Sequence, residues 1–115
     1  MTDIHSLRVF HDARELLREV RTITRSGIAF GDLAAQIQRA AISVASNIAE
    51  GAGSGSDKNF RRHLAIARGS TNEVEGQLLL LVDLGVIDDS HEALPLANRL
   101  GRQLSCFIRK LEGSG

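Results

Sequence analysis

The chain is poor in several residue types, and each shortage excludes something. Its single cysteine, Cys106, rules out an intrachain disulfide and any zinc site built on a cysteine cluster, and points to a reducing, cytoplasmic setting. There is no tryptophan, no tyrosine and only four phenylalanines, so little aromatic surface is left for stacking bases. The formal net charge is zero, which argues against strong, unspecific polyanion binding by the chain as a whole, though not against local patches. No apolar run approaches the ~20 residues of a membrane span, and the opening MTDIHSLRVF lacks the apolar core of a secretory signal. A soluble cytoplasmic domain with no membrane partner is the expectation. No stretch alternates with a period of two, so strands are not expected either.

What remains is helical. At 115 residues the chain has room for one domain with a modest core. Four segments carry a three-and-four spacing of apolar residues. The first, about 7–25, places Phe10, Ala13, Leu17, Val20 and Thr24 on one seam, widened by Leu16 and Ile23. The second, about 32–50, has Leu33, Ile37, Ala40, Val44 and Ile48, with Asp32 as a candidate N-cap. The third, about 57–84, has Phe60, Leu64, Ala67, Thr71, Val74, Leu78 and Leu81. The fourth, about 89–111, aligns Ala97, Leu100, Leu104, Phe107 and Leu111; Pro95 suits a first turn, so that helix is open to a later start. Gly27 and Gly31, the glycine loop after the second helix, and Gly85 punctuate the segments, and the final GSG reads as a frayed tail. Short connections between such helices predict an all-α, antiparallel up-and-down four-helix bundle filling 1–115 as a single domain.

The middle helices carry more small residues than a bundle requires. Ala34, Ala41, Ala45 and Ala49 form one line, and Ala65, Gly69 and Gly76 another. Either the lines allow close packing within the bundle, or they meet a neighbouring subunit. The run QLLLLVDLGV, apolar all round the helix at Leu78 to Val82, favours a homo-oligomer.

Catalytic chemistry finds little support. The loop EGAGSGSD has a GxGxG spacing after a helix, whereas phosphate-cradling loops follow a strand with other spacings. It is expected to be a flexible hinge, with Ser56 or Asp57 capping the next helix. No glutamate has a histidine three residues on, as a di-metal bundle site demands. His5, His11, His63 and His91 are scattered and read as surface or rim residues. Asp88 and His91 have metal-pair spacing but fall in a turn, where helix capping is the simpler role. Cys106 lies near the fourth seam and is expected to be buried. No enzyme, metal or cofactor is expected.

Charge placement says more. Arginine outnumbers lysine twelve to two, and guanidinium suits bidentate phosphate contacts. Arg14, Arg18, Arg21 and Arg25, spaced four, three and four, make one basic stripe on the first helix. Arg61 and Arg62 open the third, and Arg99, Arg102, Arg109 and Lys110 stud the fourth. Residues 71–95 carry Glu73, Glu75, Asp83, Asp88, Asp89 and Glu92 with no lysine or arginine. The first-helix stripe is either a solvated face partly paired with Glu15 and Glu19, or a phosphate-contact surface multiplied by assembly. With so few aromatics, such contacts would read backbone or shape, as in structured RNA. A polar line on the second helix, Gln36, Arg39, Ser43, Asn47 and Glu50, is expected to face Arg61, Arg68, Asn72 and Glu75.

Two stretches carry a family resemblance. QIQRAAISVASNIAEG (36–51) followed by FRRHLAIARGSTNEVEGQLLLLVDLGVI (60–87) resembles the four-helix-bundle proteins encoded in intervening sequences of bacterial 23S ribosomal RNA. LRVFHDA in the first helix also fits, with Phe10 where the family usually has tryptophan. The resemblance implies a ring-like homopentamer with suspected RNA binding. The chain is similar, too, to the accessory bundle of diversity-generating retroelements, which works with a reverse transcriptase on RNA. Carried over by motif position, Arg39, Ser43, Asn47, Glu50, Arg68, Ser70, Glu73 and Glu75 would maintain a polar assembly network. Arg14, Arg18, Arg21, Arg25, Arg61 and Arg62 would contact structured RNA or a reverse-transcriptase-like nucleoprotein partner. The alternative is a purely structural assembly module that binds no nucleic acid.

Overall fold

The computed structural model describes residues 2–25 and 32–114, apart from the side chains of His5 and Ser114. After a 3-10 turn (Ile4–Ser6) come four helices: α1 (Arg8–Thr24), α2 (Leu33–Ala52), α3 (Asp57–Asp83) and α4 (Ala93–Ser114). The described residues include no strand. Gly27 and Gly31, expected to end the first helix and begin the second, lie outside the described residues.

Helix limits follow from local bonding. Ser56 caps α3, its Oγ accepting the Asn59 N–H at 3.2 Å, and Asp57 adds a negative charge in the first turn. Asp32 occupies the N-cap position of α2, but its side chain caps nothing; only its carbonyl accepts, from Gln36 N–H at 2.9 Å. Past α3, Val86 N–H bonds Leu81 O and Gly85 N–H bonds Val82 O, with Gly85 at φ +75°. This is a Schellman closure, and the left-handed position needs glycine.

The fourth helix begins at Ala93, four residues later than the spacing predicts. Residues 88–92 form a capping turn instead. The Asp88 carboxylate accepts the N–H and hydroxyl of Ser90 at 2.9 and 2.8 Å, and His91 Nδ1 accepts the Ala93 N–H at 3.0 Å. Pro95 then sits in the first turn, where its missing N–H costs nothing. At the other end α4 runs on through Gly113 to Ser114, so the GSG tail is partly helical rather than frayed.

The glycine loop is a hydrogen-bonded turn between α2 and α3. Gly51 and Ala52 belong to α2, and Ser54 Oγ–H donates to Gly51 O at 2.7 Å. A Cβ on Gly51 would lie 2.8 Å from His63 Cβ, so this glycine lets the end of α2 approach the start of α3. Gly55, at φ +74°, supplies the left-handed residue.

The core follows the expected seams through most of α2 and α3; in α1 it lies on the side of Val9, Leu16 and Ile23 and leaves Phe10, Leu17 and Thr24 half-buried, and in α4 it takes Ile108 and leaves Phe107 and Leu111 half-buried. Leu16, Ile37, Ile48, Leu64, Leu78, Leu100 and Leu104 are fully buried. Helix α2 packs most extensively on α3, then α3 on α4 and α1 on α2; α1 meets α4 least. The four helices thus form a bundle whose sequence neighbours are also spatial neighbours. Phe60 and Phe107 meet edge to face at 5.1 Å across α3 and α4.

The two lines of small residues have different fates. Ala41 is fully buried, and it shares its face of α2 with Gln38, which bonds Thr24 of α1. Of the alanine line, Ala41 is therefore spent inside the bundle, while Ala34, Ala45 and Ala49 are half-buried. By contrast, Gly69 and Gly76 are exposed, and a Cβ on either would meet nothing within 4 Å.

Candidate functional site

One polar network is built into the seam between α2 and α3. Asn47 Nδ2 donates to Ser43 O at 2.9 Å and to Ser43 Oγ at 3.1 Å. Ser43 Oγ and Ser70 Oγ lie 2.9 Å apart. That orientation of the amide turns Asn47 Oδ1 toward His63 Nδ1, 3.0 Å away, so Nδ1 carries the proton. In the neutral ring Nε2 then accepts from Arg62 Nη2 at 3.4 Å; in the charged ring it faces Glu50 Oε1 at 3.9 Å. His63 is only 7% exposed, which corrects its reading as a rim residue. The signal was in the spacing: His63 stands three residues after Phe60 and four before Ala67, on the buried side of α3.

Arg39 and Glu73 join the same seam further along. With Gln36, Ala40, Ser43 and Ser70 they line a polar depression of about 340 Å³. Six of the eight motif residues are therefore together: Arg39, Ser43, Asn47, Glu50, Ser70 and Glu73. The other two, Arg68 and Glu75, are not. Their flank of α3 faces α4, where Glu75 Oε2 accepts from Asn98 Nδ2 at 3.0 Å and Arg68 and Asn72 line a depression with Arg109. The expectation that Arg61, Arg68, Asn72 and Glu75 face the α2 line is thereby corrected. Residues 63 and 70 meet α2, and residues 61 and 68, two positions back, are rotated about 200° around the helix.

The arginines differ among themselves. Arg14, Arg18, Arg21 and Arg25 are all exposed, on the side of α1 opposite buried Val9, Ala13, Leu16, Val20 and Ile23. No ion pair among the described residues holds any of the four. Glu15 and Glu19 do not pair with them; they line a cleft toward α4 with Ser90, Pro95 and Arg99. Arg14 instead places its guanidinium 5.9 Å from the Phe10 ring centroid. Arg62 is exposed, while Arg61 is half-buried and donates to Leu111 O at 3.1 Å near the end of α4. Cys106 is exposed, not buried: the α4 seam runs through Leu104 and Ile108, leaving position 106 outside, with Arg109 Nη2 3.3 Å from its sulfur.

Leu79, Leu80 and Leu84 are 53%, 51% and 46% exposed, so the apolar run at the end of α3 is covered on one side only. Among the described residues no group of three His, Cys, Asp or Glu could hold a metal ion, and no helix is long and apolar enough to cross a membrane.

A family model described as 23S rRNA-intervening sequence protein matches residues 5–106. No curated protein matches the chain.

Proposed function

The chain belongs to the family of 23S rRNA-intervening sequence proteins, and from that premise we propose that it is a non-enzymatic, cytoplasmic, self-associating bundle that binds structured RNA through α1. The observation that carries the reading is the α1 stripe: four guanidinium groups on one solvent face, spread over about 16 Å of helix, with no carboxylate among the described residues holding them. Guanidinium forks suit phosphate oxygens, and repetition of the stripe in each subunit would turn weak contacts into useful avidity.

Assembly into a ring, with five subunits as the family resemblance implies, is supported by the exposed leucines at the end of α3 and the open, glycine-smoothed outer face of that helix. An antiparallel course is supported by the cross-helix pairs: 43 with 70 and 47 with 63, then 61 with 111 and 75 with 98, each step up one helix being a step down the next. The six-residue seam would hold α2 and α3 in the geometry that presents these surfaces.

Solution mass by light scattering, with and without a structured RNA, tests the proposal. An oligomer that gains RNA mass at low salt and loses it as salt rises is the expected result. An oligomer that ignores RNA would leave the assembly module, and direct the search to a nucleoprotein partner such as a reverse transcriptase. A monomer would overturn the assembly reading.

A further inference from the structure

Two exposed surfaces of the bundle complement each other. The first is a groove of about 450 Å³ between the start of α1 and the last turns of α4. Leu7, Val9 and the half-buried Phe107 give it an apolar floor, and Phe60 holds the Phe107 ring edge to face at 5.1 Å. Arg8, Arg99, Arg102 and Lys110 also line the groove, and no acidic residue does. Arg8 reaches Asp12 at 4.0 Å, and Arg99 also borders the cleft of Glu15 and Glu19. Arg102 is exposed, with no ion pair among the described residues.

The second surface is the end of α3. Leu79, Leu80 and Leu84 stand half-exposed around Asp83, which lies four residues from Leu79 and three from Leu80 on one side of the helix. Gly76 continues that side, and a Cβ there would meet nothing within 4 Å, so a neighbour can approach closely. Asp83 is exposed, no ion pair among the described residues holds it, and the last turn of α3 carries no basic residue. A carboxylate at a helix C-terminus opposes the helix dipole, so a cation from outside is favoured there.

Each surface lacks what the other has. The groove is apolar and cationic without an acid; the α3 end is apolar and acidic, within a stretch, 71–95, that holds no lysine or arginine. No chain can fill its own groove. The Asn98–Glu75 bond puts residues 79–84 on one side of residue 98, whereas the groove runs from 99 to 110 on the other. We propose that the α3 end of one copy, Leu79, Leu80, Asp83 and Leu84, seats in the α1–α4 groove of the next copy, with its leucines against Phe107 and Asp83 beside Arg102 and Lys110. This contact deepens the assembly reading, on which it rests, by naming the two surfaces that meet. Other occupants match less of the groove. A bare phosphate has no use for the apolar floor. An acyl anion carries one charge at one end, while the cations on α4 are spread over about 16 Å. Because the two surfaces differ, the contact is head-to-tail, and its repetition makes a ring where the rotation closes.

Two variants and their mixture, followed by light scattering, test the contact. Leu80→Asp, Asp83→Arg spoils the α3 end and leaves the groove; Arg102→Glu, Lys110→Glu spoils the groove and leaves the α3 end. All four positions are exposed, so both variants should melt like the parent. Each alone should weaken self-association about 30-fold or more, giving monomers where the parent assembles. Mixed in equal amounts, they should form a particle of two chains and nothing larger, because one sound groove and one sound α3 end remain. A second readout needs no variant. Cys106 lines the groove, is exposed and is the only cysteine of the chain, so its alkylation by iodoacetamide should be several-fold slower above the concentration at which the parent assembles than below it.

A parent that stays monomeric overturns the assembly reading and this contact with it. If the parent assembles and both variants assemble equally well, the contact fails and assembly through other surfaces stands. The contact also fails if only one variant dissociates, or if the mixture stays monomeric or grows beyond two chains. Alkylation of Cys106 at one rate in monomer and oligomer overturns it too, and leaves the groove to another occupant such as an acyl anion.

Discussion

The α2–α3 seam and the α1 stripe are both polar lines on helices, yet the fold treats them oppositely. On the seam, Ser70, Ser43, Asn47 and His63 are linked at 2.9 to 3.1 Å, and His63 is buried. On the stripe, four arginines stand in solvent with no ion pair among the described residues. Polar groups whose bonding is completed within the chain are committed to the fold, because breaking the set leaves a buried group unsatisfied. Charged groups with no such commitment are available to an external partner. On the function proposed above the seam serves structure and the stripe binding, and substitutions in each should then move different measurements.

The stripe should give the larger effect, and on RNA alone. Replacing Arg14, Arg18, Arg21 and Arg25 together by glutamine removes up to four phosphate contacts. The slope of log affinity against log salt should flatten by about 3 units, with affinity at low salt falling about 100-fold or more. Unfolding should change little, since exposed sites away from packing or caps usually count for less than about 0.5 kcal/mol each. A fluorescence-anisotropy salt series beside a denaturant melt reads both quantities. Dissociation of the oligomer by this variant would place the stripe in the assembly and end the division of labour.

His63→Ala should do the reverse. It leaves Asn47 Oδ1 without its donor and opens a void where the buried imidazole stood beside Asn47. A loss of about 2–4 kcal/mol of folding stability is expected, read as a lower denaturant midpoint at an unchanged slope. RNA affinity under conditions where the variant remains folded should stay within about twofold of the parent. An unchanged midpoint would mean that the seam contributes little to the fold, and the contrast with the stripe would collapse.

Much of this was legible in the residues. The three-and-four spacing located four helices and most of the core of α2 and α3, because burial on a helix repeats with its turn; in α1 and α4 the expected seams included Phe10, Leu17, Thr24, Phe107 and Leu111, which are only half-buried, and left out Val9 and Ile108. The stripe was equally plain, as Arg14 to Arg25 keep one face whatever α1 packs on. Pairing between helices was not, since it depends on the rotation of each helix about its axis. That is why Arg68 and Glu75, grouped with the seam by motif, fall on the α4 flank, and why His63 was missed among residues listed by type. Capping turns were half visible. Asp88 and His91 announced a turn, but the capping structure of residues 88–92 before Ala93 could be placed only from its bonds.

That capping turn offers the smallest effect and a third category, a surface charge committed locally. Asp88 is exposed like the arginines, yet its carboxylate accepts from the Ser90 backbone N–H and the Ser90 hydroxyl. Those bonds, the backbone one foremost, favour the charged form and hold its pKa below the ordinary 3.8. A depressed folded-state value means that the group stabilises the turn fully above its unfolded pKa, and that this contribution is lost as pH falls through the lower folded value. The Ser90 amide proton, followed by NMR during acid titration, should therefore move with a midpoint below 3.8. In Asp88→Asn that movement should vanish, while the RNA salt slope and the His63 network remain as in the parent. A Ser90 amide that titrates at the ordinary carboxylate value would show that the turn does not hold Asp88 in solution, and that exposure alone, rather than bonding, decides which charges of this chain are committed.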